Sequence, residues 1–154
     1  MSAGTGLIDA IEAYYDAAPR TAAHAEYVGP FTLFVGTGAW GYYARPTLGL
    51  GRTVAPEDVA ALRARQRELD MGQEIEWQPS VTPTLADACA AAGMRVHSFR
   101  LLVHDGSTPQ RRAGVRIVGP EDDLAAWVSV QQQGFGASAE VDAATVDHLA
   151  ARLG

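Results

Sequence analysis

Apolar residues recur at helical spacing near the amino terminus. Leu7, Ile8, Ile11, Tyr14, Tyr15 and Ala18 follow the i, i+3/i+4, i+7 rule of an amphipathic helix, and Pro19 stops it. Phe31-Thr32-Leu33-Phe34-Val35 is a short β-branched and aromatic run between Pro30 and Gly36, which predicts a buried strand. Trp40 to Arg45 reads as a second strand beyond the turn-prone Gly36-Thr37-Gly38, followed by the glycine-bearing loop Pro46-Thr47-Leu48-Gly49-Leu50-Gly51-Arg52. Pro56 opens the next helix at its favoured first position, with Glu57 and Asp58 in the positive first turn. Val59, Leu62, Gln66 and Leu69 share one face, Arg63, Arg65 and Arg67 spread over the solvent side, and Gly72 is the expected stop.

Glu74-Ile75-Glu76-Trp77-Gln78 alternates and predicts a half-buried strand. Thr82-Pro83 supplies a hydroxyl cap and a proline, Leu85, Ala88, Cys89 and Ala92 form the inward stripe of a helix, and Gly93 ends it. Val96 to His104 reads as a long strand. Asp105-Gly106-Ser107-Thr108-Pro109, followed by Arg111-Arg112, is polar and turn-rich, which suits a linker. A second unit then opens with the strand Val115-Arg116-Ile117-Val118 and the turn Gly119-Pro120. Glu121 to Gln133 follows as a helix with Leu124, Trp127, Val128 and Gln131 on one side. A last helix from Asp142 to Leu153 turns Val146, Leu149, Ala150 and Leu153 inward. One strand and two helices do not close a core, so this second unit is expected to be incomplete.

Composition narrows the class. The chain has 154 residues, a net charge of −6, 47% hydrophobic and 19% charged residues and one cysteine. With nearly half its residues apolar and few charged it is not a wholly disordered chain, and a chain of this size can bury about two-thirds of its unfolded surface. One cysteine excludes an internal disulfide framework and a multi-cysteine zinc site. The acidic balance argues against nucleic acid or an anionic membrane as a partner. All 12 basic residues are arginine and there is no asparagine, so neither a lysine nucleophile nor an N-glycosylation acceptor exists in the sequence. Met1 to Gly6 lacks the basic start and apolar core of a signal peptide. Apolar runs of about five residues fall far short of the roughly 18 that span a bilayer. A cytoplasmic location is expected.

Chemistry-bearing residues are sparse. His24, His97, His104 and His148 show no metal-ligand spacing, so no metal site is expected, and His104-Asp105 reads as an exposed strand end. No serine sits in a GxSxG elbow. Cys89, on an apolar helical face, reads as a structural thiol. Glu74 and Glu76 share one strand face: either a general base and its neighbour, or the wet side of a half-exposed strand. Trp40, Tyr42 and Tyr43 suit the core better than a ligand platform. The candidate binding residues are Gly49, Leu50, Gly51 and Arg52. Between a strand and a helix, backbone N–H groups and the helix dipole can cradle a pyrophosphate, and glycines permit close approach. The alternative is a plain strand-to-helix turn. Gln131-Gln132-Gln133-Gly134-Phe135-Gly136 spells a Q-x-x-G-x-G pattern too, but a helix precedes it, and Gly134 reads as a helix stop.

The order of these elements resembles a known pattern. Tyr42-Tyr43-Ala44-Arg45-Pro46, the Gly49/Gly51 loop, the helix Glu57–Leu69, the strand Glu74–Trp77, the helix Leu85–Ala92 with Gly93-Met94, and the strand that follows resemble the second half of the GNAT superfamily fold. That superfamily comprises the acyl-CoA-dependent N-acetyltransferases. Glu76-Trp77, Val81-Thr82-Pro83-Thr84-Leu85 and Ala91-Ala92-Gly93-Met94 are similar to the degenerate amino-terminal domain of two-domain actinobacterial members. Gly114-Val115-Arg116-Ile117-Val118-Gly119-Pro120-Glu121-Asp122-Asp123-Leu124 resembles the opening of a second such domain. The resemblance covers about Tyr14 to Ala137 and rests on pattern and phrase.

The resemblance implies an α/β fold with a mixed, mostly antiparallel sheet flanked by helices. It implies a GNAT-like domain over 1–107, a linker at 108–112, and the start of a second domain over 113–154. It implies acetyl-CoA as co-substrate at Gly49, Leu50, Gly51 and Arg52, with a small-molecule or peptide amine as acceptor. The family's loop runs Q/R-x-x-G-x-G/A. Here Arg45 stands four residues before Gly49, and Pro46, which donates no hydrogen bond, fills the Q/R place. The family's acid/base residues would fall beyond Gly154, so no catalytic residue carries over. The expected role is therefore the accessory, substrate-side portion of an N-acetyltransferase. The alternative is a non-catalytic module that has lost acyl-CoA binding and docks through its tail helices, as a homodimer or on a further domain.

Overall fold

A computed structural model of the chain describes residues 3–36, 42–103, 114–134, 136 and 138–153. The chain divides into two compact units, Met1–Ser98 and Phe99–Gly154. The expected linker, 108–112, lies outside the described residues.

The first unit begins with helix α1, Ala3–Ala17, which gives way at Pro19 to a 3₁₀ turn, Ala18–Thr21. Three strands follow: β1, Ala23–Val28, β2, Phe31–Gly36, and β3, Ala44–Pro46. They form an antiparallel sheet in the order β1-β2-β3. Val28 pairs with Phe31, so β1 and β2 are joined by Gly29-Pro30 alone. Gly29 takes the positive φ (57°) that a two-residue hairpin asks of its first position. Helix α2 spans Pro56–Glu68 and helix α3 Leu85–Ala91.

Alternation along the strands gives the sheet two faces. Phe31, Leu33 and Ala44 point to one, where they pack with Val54, Val59, Leu62, Leu85, Ala88 and Cys89 from α2, α3 and the loop before α2. Arg65 of α2 clasps Glu26 of β1 at 2.5 and 3.0 Å, fastening that helix to the outer strand. Arg63 reaches Gln73 at 2.8 Å and the carbonyl of Ala92 at the end of α3. The expected solvent-side arginines thus hold elements together. Thr32, Phe34 and Arg45 point to the opposite face, where Arg45 meets Glu12 of α1.

Both core helices end in the same motif. At α3, Gly93 (φ 76°) donates to Ala90 and Met94 to Cys89, as its position in the sequence suggests. At α2, the left-handed residue is Asp70 (φ 54°), with Asp70 donating to Arg67 and Met71 to Gln66. Gly72 is therefore not the stop. A short polar side chain tolerates this conformation better than a bulky one, and Met71 is carried onto the core.

Other expectations need correction. β1 was not foreseen, because Ala-His-Ala-Glu-Tyr-Val has no apolar stripe to announce it. Glu74–Gln78 makes one parallel bridge, Ile75 to Ala44, rather than a strand. Among the described residues, Val96–Val103 and Val115–Val118 adopt no regular secondary structure. The first helix is rotated from its apolar arc: Glu12 is its most buried described residue, while Leu7 and Tyr14 face out. The class is nonetheless α/β, a mainly antiparallel sheet with helices on both faces.

The second unit contains α4, Leu124–Gly134, and α5, Ala143–Leu153, which pack together. Leu124, Val128 and Thr145 are buried, whereas Trp127 and Leu153 stay exposed. Asp123 caps α4 by accepting from the Ala126 N–H at 2.9 Å. Asp142 caps α5 through the N–H and hydroxyl of Thr145 at 2.9 and 2.6 Å. The Gln131–Gly134 stretch is the end of α4, and the positive φ lies at Gly136 (77°), not Gly134. Among the described residues no helix is long and apolar enough to cross a membrane.

Leu62 sits fully buried between sheet and helices. Leu62→Ala should cost about 2–5 kcal/mol through lost burial and the cavity left behind, measured by denaturant unfolding.

Candidate functional site

The loop after β3 is shaped by its own backbone. Thr47 donates to Pro30 and Leu50 to Thr47, both at 2.9 Å, and Gly49 takes φ 75°, closed to most side chains. Leu50 turns onto the core, so of the four candidate residues it is the anchor. A Cβ on Gly51 would meet nothing within 4 Å, so packing does not demand a glycine there.

Arg52 does not present a free charge to a phosphate. Its guanidinium forks onto Asp58 at 2.9 and 3.0 Å, and also reaches the carbonyl of Thr53 at 3.2 Å. Asp58 in turn accepts from the Ala55 N–H at 2.9 Å, in front of α2. The helix N-terminus therefore already has its anion, a side chain of its own. Arg52 holds the Asp58 carboxyl below the usual carboxylate range, with the Ala55 N–H adding to the effect against partial burial. An incoming pyrophosphate would meet an Arg52 whose two terminal nitrogens already donate to Asp58. Pro46 is buried within β3 and has no N–H to donate.

A second polar assembly lies on the α1 side of the sheet. Arg45, 2% exposed, donates to Glu12 Oε2 at 2.6 Å and lies over the Tyr15 ring, 5.8 Å from its centroid. Arg45 Nε and Glu12 Oε1 are buried with no hydrogen-bond partner among the described residues. Tyr43, two residues before Arg45, packs edge-on against Phe34 at 6.1 Å. Burial first, then the charge of Glu76, pushes its hydroxyl up to about 12.

Glu74 and Glu76 flank the single bridge: Ala44 donates to the Glu74 carbonyl at 3.1 Å and accepts from the Glu76 N–H at 2.9 Å. Their side chains alternate with Ile75 and Trp77, which pack against the core. Both acids open to solvent. The Glu76 carboxyl is nonetheless raised, first by the protein around it and then by Glu74, with Arg45 pulling the other way. Chemically this is a carboxylate that holds a proton more readily than a free one, beside a phenol that resists losing its own. Tyr43 and Arg45 were legible only as strand residues; nothing in their spacing announced the buried pair.

The remaining candidates do not assemble. His24 and His97 are exposed, His148 lies on α5, and His104, Asp105 and Trp40 fall outside the described residues. No group of histidine, cysteine and acidic residues suited to a metal occurs among the described residues. Cys89 is buried, and that burial pushes its thiol up, away from nucleophilic use. No family model, curated protein or solved structure matches the chain.

A phenol raised to about 12 gives a testable signature. The folded state keeps this proton between its ordinary value near 10 and about 12, whereas the unfolded chain gives it up. Stability should therefore fall as pH rises through that window. One tyrosine should ionise late in a 295 nm absorbance titration, and Tyr43→Phe should remove that step.

Proposed function

We propose that the first unit is a GNAT-like domain serving as the accessory, substrate-side portion of an acyl-CoA-dependent N-acetyltransferase of the cytoplasm. The observation that carries this reading is the order of elements in that unit. β3, the glycine loop, α2 and α3 follow one another in the order of the resemblance, with the Ile75 bridge standing where it has a strand; the strand that it has after α3 is not formed among the described residues. In this chemistry the protein mostly positions a thioester and an amine and stabilises charge as the acyl group moves. The unit contributes scaffold and one wall of the substrate cleft, and the acceptor is a small-molecule or peptide amine.

The state of the loop supports an accessory rather than a cofactor-binding role. Gly49, Leu50, Gly51 and Arg52 stand where acetyl-CoA would be held, but Arg52 is committed to Asp58 and Pro46 offers no donor. The same ion pair favours the second reading, a non-catalytic module that has lost acyl-CoA binding altogether.

Calorimetric titration with acetyl-CoA, together with thiol release on a panel of amines, separates these. On this reading the chain by itself should neither bind nor turn over, while a form that also carries residues supplying the chemistry should transfer acetyl groups. Saturable binding by the chain alone, abolished by Gly51→Trp, would identify the loop as a working cofactor site. Absence of transfer in that longer form would favour the non-catalytic module.

A further inference from the structure

Two stretches of the chain carry unused strand-pairing capacity. The first is the outer edge of Glu74–Gln78. Ala44 engages the Glu74 carbonyl and the Glu76 N–H. In an extended backbone the N–H and C=O of Ile75 then point away from β3, and neither has a hydrogen-bond partner among the described residues. The second is Arg95–Val103, whose backbone makes no hydrogen bond to another described residue. It holds Phe99 at 91% and Leu102 at 90% exposure. An open sheet edge is a template for pairing with another chain, and an apolar segment without regular structure can add to it as a strand.

Their charges are complementary. Glu74 and Glu76 stand two residues apart on one side of the edge, with Ile75 between them. Arg95 and His97 stand two apart with Val96 between them, and Arg100 adds a further positive charge. None of Glu74, Glu76, Arg95 and Arg100 belongs to an ion pair among the described residues. Laid side by side, Glu-Ile-Glu and Arg-Val-His put Arg95 across from a glutamate on one face and Ile75 against Val96 on the other. Each stretch supplies what the other lacks.

We propose that Arg95–Val103 of one copy of this chain adds as a strand to the Glu74–Gln78 edge of a second copy. Each copy offers one edge and one strand, so reciprocal exchange closes a two-fold dimer. The contact gives Ile75 its missing backbone partner. This interface is separate from the tail helices, and it does not rest on the acetyltransferase reading.

Sedimentation equilibrium of the whole chain tests it. The wild type should show a reversible monomer–dimer equilibrium. Glu74→Arg with Glu76→Arg, and separately Arg95→Glu with His97→Glu, should each abolish dimerisation while leaving the far-ultraviolet circular dichroism unchanged, since all four side chains are exposed. Mixing the two variants should restore a heterodimer, because each then offers the charges the other needs. A wild type that stays monomeric at every concentration, as pairing within one copy would give, overturns the proposal. So does association indifferent to both reversals, as docking through the tail helices would give. Acetyl-CoA enters none of these readouts.

Discussion

An arginine 2% exposed cannot stand without a counter-charge, and Arg45 has one in Glu12. This pair joins residues 33 positions apart and decides how α1 lies against the sheet. The apolar arc of α1 alone would place Leu7 and Tyr14 inward, yet both face out and Glu12 goes in. A buried ion pair is a poor source of net stability, because desolvating two charges offsets most of their attraction. Breaking one is costly, since the survivor is left buried and uncompensated. The pair therefore acts chiefly by excluding other placements of α1.

From Arg45 the rest of the central region follows. Its neighbour Ala44 faces the opposite side of β3, where it joins the apolar cluster and receives the Ile75 bridge. Tyr43 and Glu76 gather on the Arg45 side, where burial raises both, with Glu76 adding to the effect on Tyr43 and Glu74 to that on Glu76. Pro46 closes the strand and hands the chain to the Gly49 turn. Three residues of sheet thus set the core, the polar face and the loop. The loop's cation is spent on Asp58, so a glycine turn that reads as an anion site is electrostatically closed by its own helix.

What was legible in the sequence was whatever rested on local chemistry. The α2 stripe of Val59, Leu62 and Gln66, Pro56 at its start, the stop at Gly93, and β2 all depend on periodicity, capping or a positive φ, which a few neighbouring residues determine. β1 depends instead on pairing with β2 and on Glu26 meeting Arg65, 39 positions away, which no local pattern encodes. Val96–Val103 failed for the complementary reason: it has β-branched and aromatic residues but no partner strand, and composition without pairing does not make a strand. At the candidate site the glycines were visible, but the Arg52–Asp58 fork was not, because it spans a turn whose shape the spacing does not specify. Glu12 was hidden inside an apolar pattern, and Asp70 was passed over for a nearby glycine.

The most direct test of this account is hydrogen exchange, resolved by segment, in Glu12→Gln. The substitution keeps the shape of the side chain and removes only the charge that Arg45 requires. If the pair fixes the helix, protection should be lost selectively in α1, residues 3–17, while β1, β2 and α2 keep theirs. Unchanged protection throughout, or an equal loss in every element, would contradict it.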